Sequence, residues 1–302
     1  MDQIKNQTIK DMNTQHFDCI AVGVIDFNNN SFESFEYSKD IGISQVPFMY
    51  FDLASITKVL NLASFYLMKP ELFNDEMKLL LNHRAGLPAW ARLDKKTWRE
   101  FVSSYKVKES ECLYSDLSAL RLQVEIENII DKPLWTETEL NWDEELMNWI
   151  DLPNHVFCPI TGMRNKNDIS GSVHDDNAYN LEEKVSHAGI FSTVNGLAKT
   201  ILNLESNYSL IETIDKSYKS HDRKKRFING WDTVQDPENT LAGKGCSSST
   251  FGHLGFTGTS IWIDVEKKRG SIILTNSTQY AWYDKKEVNQ LRKKIGSMIW
   301  SL

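Results

Sequence analysis

Two stretches suited to paired strands stand at opposite ends of this 302-residue chain. The first, "CIAVGVIDFNNNSFESFEYS" over 19–38, holds two strand-like runs around an asparagine-rich turn. The second, "TSIWIDVEKKRGSIILTNST" over 259–278, holds two more around a charged turn with Gly270. Each reads as a hairpin, and an isolated hairpin is marginal in water. The economical solution is one antiparallel sheet built by both ends of the chain. Just beyond the second hairpin, from about Lys285 to Leu302, Val288, Leu291, Ile295, Met298 and Ile299 recur at helical spacing, which predicts a helix on that sheet. The first two-thirds of the stretch between reads as helices and loops. The expected fold is therefore α+β: an antiparallel sheet from both termini, flanked by helices, with an all-helical lobe inserted. The expected organisation is a single domain over 1–302. Its discontinuous α/β lobe covers about 1–54 and 188–302, its helical lobe about 55–187, and the cleft lies between them.

Charge narrows the partners. The formal net charge is −7 and the isoelectric point about 5.6, so no global basic field attracts nucleic acid or anionic lipid. The basic run "DRKKRF" at 222–227 reads as a solvated loop. Cys19, Cys112, Cys158 and Cys246 form no C-x-x-C and read as free, mostly packed thiols. The N-terminus is polar, and no apolar run approaches the ~18 residues of a membrane span. Cytoplasmic is the default expectation; a periplasmic or extracellular protein whose export signal has been removed reads the same way. Nine tryptophans point to a large core or an aromatic-lined cleft.

Three short motifs carry chemistry. In "FDLASITKVL", Ser55 and Lys58 lie three residues apart, on one face if the segment is helical. A serine hydroxyl becomes a nucleophile when a base takes its proton, and lysine serves as that base when burial and positive neighbours lower its pKa. A serine in a first helical turn also offers its free N–H to a developing oxyanion. The bland alternative is an amphipathic helix capped by Asp52. In "CLYSDLSALRLQVEIENIIDKP", Tyr114 precedes the capping residues Ser115 and Asp116 at the mouth of a helix carrying Leu117, Leu120, Val124 and Ile130. There the helix dipole and a nearby lysine can stabilise a phenolate; the alternative is a capped helix with an aromatic staple. In "FGHLGFTGTSIWID", His253 and Gly255 lead into a strand-like run. Glycine there lets a ligand approach the backbone, and an edge strand lining the cleft would offer the Phe256 N–H as a second oxyanion donor. The alternative is a turn before a hairpin.

The order S-x-x-K, Y-S-x, H-x-G resembles the serine β-lactamase and penicillin-binding-protein superfamily, in its class C-like branch of lactamases, D-aminopeptidases, D,D-carboxypeptidases and lactamase-fold esterases. "LLLNHRAGLP" (79–88), "GSVHDDNAYNL" (171–181) and "SHAGIFSTVNGLAK" (186–199) are similar to further segments of that branch, and the resemblance runs from about Cys19 to Ser277. It implies Ser55 as acylated nucleophile, Lys58 as its proton partner and Tyr114 as proton shuttle. It also implies the N–H groups of Ser55 and Phe256 as oxyanion hole, and His253, Gly255 and Asp116 as substrate-binding positions. His253 stands where K-T-G enzymes carry lysine, and would bind a carboxylate or tune Tyr114.

The chain departs from the pattern at three places, the first being Ala85 in "LLLNHRAGLP", where serine is usual. Asp116 stands where the family's Y-x-N has asparagine; an ionised aspartate only accepts hydrogen bonds, so it would pair with Lys58 and raise its pKa, or repel an anionic substrate. Glu182 and Glu183 stand where a subgroup has glycines. His174, Asp175 and His187 match no strong zinc pattern and read as loop ties. The implied activity is a serine hydrolase, without cofactor or metal, acting through an acyl-enzyme on a small-molecule or peptide substrate. Small esters or amides are expected, D-amino-acid and peptidoglycan-derived peptides among them. The rivals are a binding protein that has lost turnover through Asp116 and a true β-lactamase. Oligomeric state is left open.

Overall fold

The computed structural model describes residues 1–44, 46–220 and 226–302. Residues 222–225 of the basic run lie outside the described residues; Arg226 and Phe227 lie within them. The main sheet has eight strands: β1 (Cys19–Asp26), β2 (Ser31–Ser38), β3 (Gly42–Ser44), β4 (Phe227–Ile228), β5 (Trp231–Thr233), β6 (Phe251–Leu254), β7 (Ser260–Asp264) and β8 (Arg269–Thr275). Their order is β3-β2-β1-β8-β7-β6-β5-β4. The β1–β8 seam is antiparallel, from Ile20 opposite Thr275 to Asp26 opposite Arg269, so the two terminal hairpins do share one sheet.

Both faces of that sheet are covered, which explains why β1 is almost continuously apolar rather than alternating. On one face Ala21, Ile25, Ile272 and Leu274 pack with Val194, Leu197, Ala198 and Ile201 of the helix Val194–Tyr208. On the other, Ile20, Val22, Val24 and Ile273 meet Ile4 and Met12 of the first helix, Asp2–Met12. The last helix, Lys286–Trp300, adds Val288, Leu291, Ile295 and Ile299 to that face. A fully buried side chain of this size contributes roughly 1.5–3 kcal/mol, so each layer is a substantial core. A Cβ on Gly23 would stand 2.9 Å from Val194 Cγ2, so this glycine sets how closely that helix approaches β1.

A third cluster is helical. Phe65, Met77, Leu80, Leu81, Trp98 and Val102 pack there with Leu117 and Leu120 of the helix Asp116–Ile130. Residues 56–68 form one continuous helical run with a π-helical middle, Val59–Ala63. Its Ile56, Val59 and Leu60 belong to the sheet core, while Leu62 and Phe65 belong to the helical one. The run carrying Ser55 and Lys58 is therefore clamped between two cores. No helix among the described residues is long and apolar enough to cross a membrane.

Candidate active site

The turn that presents Ser55 is stiff. Phe51–Asp52 pairs with Ile190–Ser192, and Ala54 follows at φ +47°, a left-handed conformation that costs a non-glycine residue energy unless its surroundings hold it. Asp52 does the holding. One carboxylate oxygen accepts the Ala54 N–H at 2.8 Å and the other the His174 N–H at 2.7 Å. Asp52 is therefore a loop anchor, and Ser55 itself occupies the N-cap position of Ile56–Lys58. Burial pushes the Asp52 carboxyl up to about 6.

Lys58 is buried and donates three hydrogen bonds, the full capacity of an ammonium. The acceptors are Ser55 Oγ at 3.1 Å, the His187 carbonyl at 3.0 Å and Asp116 Oδ1 at 2.7 Å. Burial works to lower its pKa, but the Asp116 carboxylate overrides it, with Tyr114 adding to the effect, and holds the amine above the ordinary lysine range. Of the two alternatives open from sequence, a pKa lowered by burial and positive neighbours or one raised by Asp116, the contacts favour the second: the neighbour is an anion.

Tyr114 sits at the mouth of Asp116–Ile130, whose N-cap is Ser115, with Oγ accepting the Ser118 N–H at 2.9 Å. The Tyr114 ring lies 5.0 Å below Lys58 Nζ, and its hydroxyl is buried without a hydrogen-bond partner among the described residues. Burial raises its pKa and Lys58 draws it part of the way back, so the phenol rests neutral. Its back wall is His83, with ring centroids 4.6 Å apart; His83 Nδ1 also accepts the Ser115 N–H at 3.2 Å. His253 is buried against the same ring, and one of its nitrogens binds the Leu254 carbonyl at 2.9 Å. Burial and then Lys58 push its pKa down to about 3. A neutral imidazole does not supply the cation expected for a carboxylate, while the role of neighbour to Tyr114 fits.

The strand β6 is not at the sheet edge, as expected from sequence, because β5 pairs with it. That pairing stops at Phe251 and Gly252, so from His253 onward one side of the chain is open. Among the described residues neither the Phe256 nor the Ser55 N–H has a hydrogen-bond partner, and both residues line the cleft. Gly255 has a different reason from ligand approach. A Cβ there would meet Thr259 Oγ1 at 2.0 Å and the Leu53 carbonyl at 2.5 Å, so the protein itself fills that space.

The cleft has two arms that share Ser55, Tyr114, Phe256 and Tyr283. One, about 430 Å³, is walled by Trp90, Trp282 and His174 and carries Asp116, Asp175 and Asp176. The other, about 290 Å³, carries Arg226, Lys285 and Arg292 beside Phe227 and Leu254. His187 pairs with Asp175 at 2.9 Å, and His174 Nδ1 lies 3.3 Å from Thr161 Oγ1; these histidines tie loops together. No cluster able to hold a metal occurs among the described residues.

A family model described as Beta-lactamase matches residues 76–293, most of the chain. The chain belongs to the beta-lactamase family. A curated relative, an N-acetylmuramyl-L-alanine amidase of Bacillus subtilis (strain 168), is 26% identical over 262 residues, covering 74% of this chain. The chain spans 55% of that relative's length. Two solved structures share the fold. A β-lactamase from Mycobacterium bovis matches with TM-score 0.64 at 14% identity, over 97% of this chain and 98% of its own. A class C β-lactamase from Rhodobacter sphaeroides matches with TM-score 0.63 at 14% identity, over 99% of each chain. At that identity the likeness speaks for the fold alone.

Within this beta-lactamase fold, Ser55, Lys58, Tyr114, Asp116, His253, Gly255 and Phe256 all gather at one cleft. Sequence reasoning missed His83, although it lies inside the quoted "LLLNHRAGLP". It also missed Trp90, Trp282, Tyr283, Lys285 and Arg292, which stand in loops or on an outer helix with no local motif. The two glutamates at glycine positions each make polar contacts. Glu182 sits at φ +51° and pairs with Lys95. Glu183 accepts the Trp98 indole N–H and pairs with Arg99 at 3.1 Å.

Proposed function

We propose that the protein is a serine hydrolase that forms an acyl-enzyme at Ser55. The observation carrying this reading is the Ser55–Lys58 hydrogen bond at 3.1 Å, set in a cleft beside two unpaired N–H groups. In acylation, Ser55 Oγ bonds to the acyl carbon and its proton passes to the free-amine form of Lys58. The carbonyl oxygen becomes an oxyanion facing the N–H groups of Ser55 and Phe256. When the bond to the leaving group breaks, Tyr114 gives that group its phenolic proton and recovers one from Lys58. Water then repeats the sequence in reverse and frees Ser55. Because Asp116 keeps Lys58 protonated, the reactive amine is scarce at neutral pH, and turnover climbs with pH.

The substrates we propose are small esters or amides. The similarity to an N-acetylmuramyl-L-alanine amidase supports peptidoglycan-derived peptides among them. A second reading, a ligand-binding protein with little turnover, draws on the same Lys58–Asp116 pair. Intact mass spectrometry after exposure to a fluorophosphonate and to a penicillin separates the readings. A phosphonyl adduct absent from Ser55→Ala, with p-nitrophenyl acetate hydrolysis falling about two to four decades in that variant, is expected. Equal turnover in a folded Ser55→Ala refutes the assignment. A stable penicillin adduct without ester turnover favours the binding protein, and rapid penicillin turnover favours a true β-lactamase.

A further inference from the structure

The two N–H groups assigned above to the oxyanion come from segments two hundred residues apart, and something must fix their separation. The turn Gly255–Thr259 is stitched to the segment leading into Ser55 by two side-chain hydroxyls. Thr257 Oγ1 donates to the Asp52 carbonyl at 2.7 Å, and Thr259 Oγ1 donates to the Leu53 carbonyl at 3.1 Å. Both threonines are fully buried. The turn is closed by Gly255 N–H to Thr259 O at 2.8 Å and Gly258 N–H to Gly255 O at 3.1 Å. Glycine at 255 is what lets Thr259 reach Leu53, since a Cβ would overlap both atoms. Gly258, at φ +106°, is equally constrained: a Cβ there would meet Thr275 Oγ1 at 2.1 Å and Ser277 Oγ at 2.4 Å.

Arg292 backs the turn from the last helix. It is buried, pairs with no carboxylate among the described residues, and donates to Thr259 O at 2.9 Å and Gly255 O at 3.5 Å. Its other contact is Asn289 Oδ1 at 2.8 Å. The Gly255 carbonyl belongs to the same planar peptide as the Phe256 N–H, and in a trans peptide the two point in opposite directions. Fixing the carbonyl on the Arg292 side therefore aims the N–H the other way.

We propose that Thr257, Thr259 and Arg292 are positioning residues that set the geometry of the oxyanion site. They act through the backbone and touch no reacting atom. This inference rests on the serine-hydrolase reading. Loss of a donor from such a site costs about two to three decades in kcat, and a displaced donor costs part of that.

The test uses the full-length protein with Thr257→Val and Thr259→Val, which keep shape and remove the hydroxyl, and Thr257→Ser and Thr259→Ser, which keep it. Fluorophosphonate labelling of the wild type is checked first, because its absence refutes the parent reading and not the frame. In a labelled, active wild type, the valine variants should lose about 10- to 100-fold in kcat for p-nitrophenyl acetate with KM little changed. Their affinity for a boronic acid, which forms an anionic tetrahedral adduct, should fall in parallel. The serine variants should stay within about 3-fold of wild type. Arg292→Met should lower kcat and boronate affinity together, and Arg292→Lys should restore part of both. Valine variants with wild-type kcat overturn the proposal. So does an equal loss in valine and serine variants, or a loss in KM alone, since those would report packing and not donor alignment.

Discussion

Two lysines stand at the same cleft under opposite rules, one buried beneath Ser55 and one lining an arm. Lys58, hydrogen-bonded to the Ser55 that both arms share, uses all three N–H groups and has a carboxylate at 2.7 Å. Lys285, on the arm that carries Arg226 and Arg292, has a buried Nζ with no hydrogen-bond partner among the described residues and lies 4.4 Å over the Phe256 ring. The first is held above the ordinary lysine range; burial and then Arg292 push the second down to about 8. Burial lowers both pKa values; at Lys58 the Asp116 anion overrides it, whereas at Lys285 burial prevails and a second cation, Arg292, adds to it. Burial alone decides neither the charge nor the role of a lysine.

The largest expected effect comes from breaking the paired side. Lys58→Met leaves Asp116 with no counter-ion and a side chain only 19% exposed. Removing one member of a buried pair costs about 3 kcal/mol or more, read as a lower denaturant midpoint at unchanged slope. Ester hydrolysis should fall at least as far as in Ser55→Ala. A Lys58→Met protein as stable as wild type would mean that water, not Lys58, compensates Asp116.

Asp116→Asn sharpens the same contrast from the other partner. It makes Lys58 resemble Lys285: buried, cationic and unpaired, so its pKa drops and free amine becomes abundant nearer neutrality. An opposite charge at contact is worth on the order of 1–4 kcal/mol between the dielectric of water and an effective ~20, or about one to three decades in rate. The rising limb of the pH–kcat/KM profile should move to lower pH. Asp116 also contributes negative charge beside Ser55, so penicillins and D-Ala-terminated peptides should gain more than neutral esters. Unmoved profiles and equal gains for both substrate types would reduce Asp116 to a helix-start residue with no electrostatic part in the reaction.

The same contrast explains what was legible from sequence. The shared sheet was, because β1, β2, β7 and β8 carry local strand and turn signals that have no other way to be buried. The cluster Ser55, Lys58, Tyr114, His253 was also legible, because each residue lies in a short motif whose order along the chain is informative. The sign of the Lys58 shift was left as an alternative. It depends on a 2.7 Å contact between residues 58 and 116, a distance no spacing encodes. Lys285 was invisible for the same reason. Its property is the absence of a partner, and sequence shows neighbours along the chain, not vacancies in space. The neutral His253 follows from the sealed wall of Tyr114, Phe227 and His83, again a matter of packing. The edge-strand expectation for β6 failed because β5 is only three residues long and gives too weak a periodic signal to be recognised.

The smallest expected effect probes the unpaired side through stability. The folded pKa of Lys285 is about 8, and an unfolded lysine titrates near 10.4. Between these values the unfolded chain binds more protons than the folded one, so this residue makes stability rise with pH across that window. Below it, the folded protein carries a charge that its surroundings disfavour. Lys285→Met should therefore stabilise the protein at pH 7, by about 1 kcal/mol once the partial exposure of the side chain is allowed for. The gain should shrink toward zero by pH 10.5, where wild-type Lys285 is neutral in the fold. Lys58 gives the opposite sign. Its folded pKa is raised, so its contribution is fully present below the unfolded value near 10.4 and is lost as pH climbs through the folded one. Chemical denaturation at pH 7, 9 and 10.5 on wild type and Lys285→Met reads the Lys285 slope, because the Lys58 contribution is unchanged across that range. A variant no more stable than wild type at pH 7, or a gain that persists at pH 10.5, would show that Lys285 reaches water in solution and that the two arms differ less than their contacts indicate.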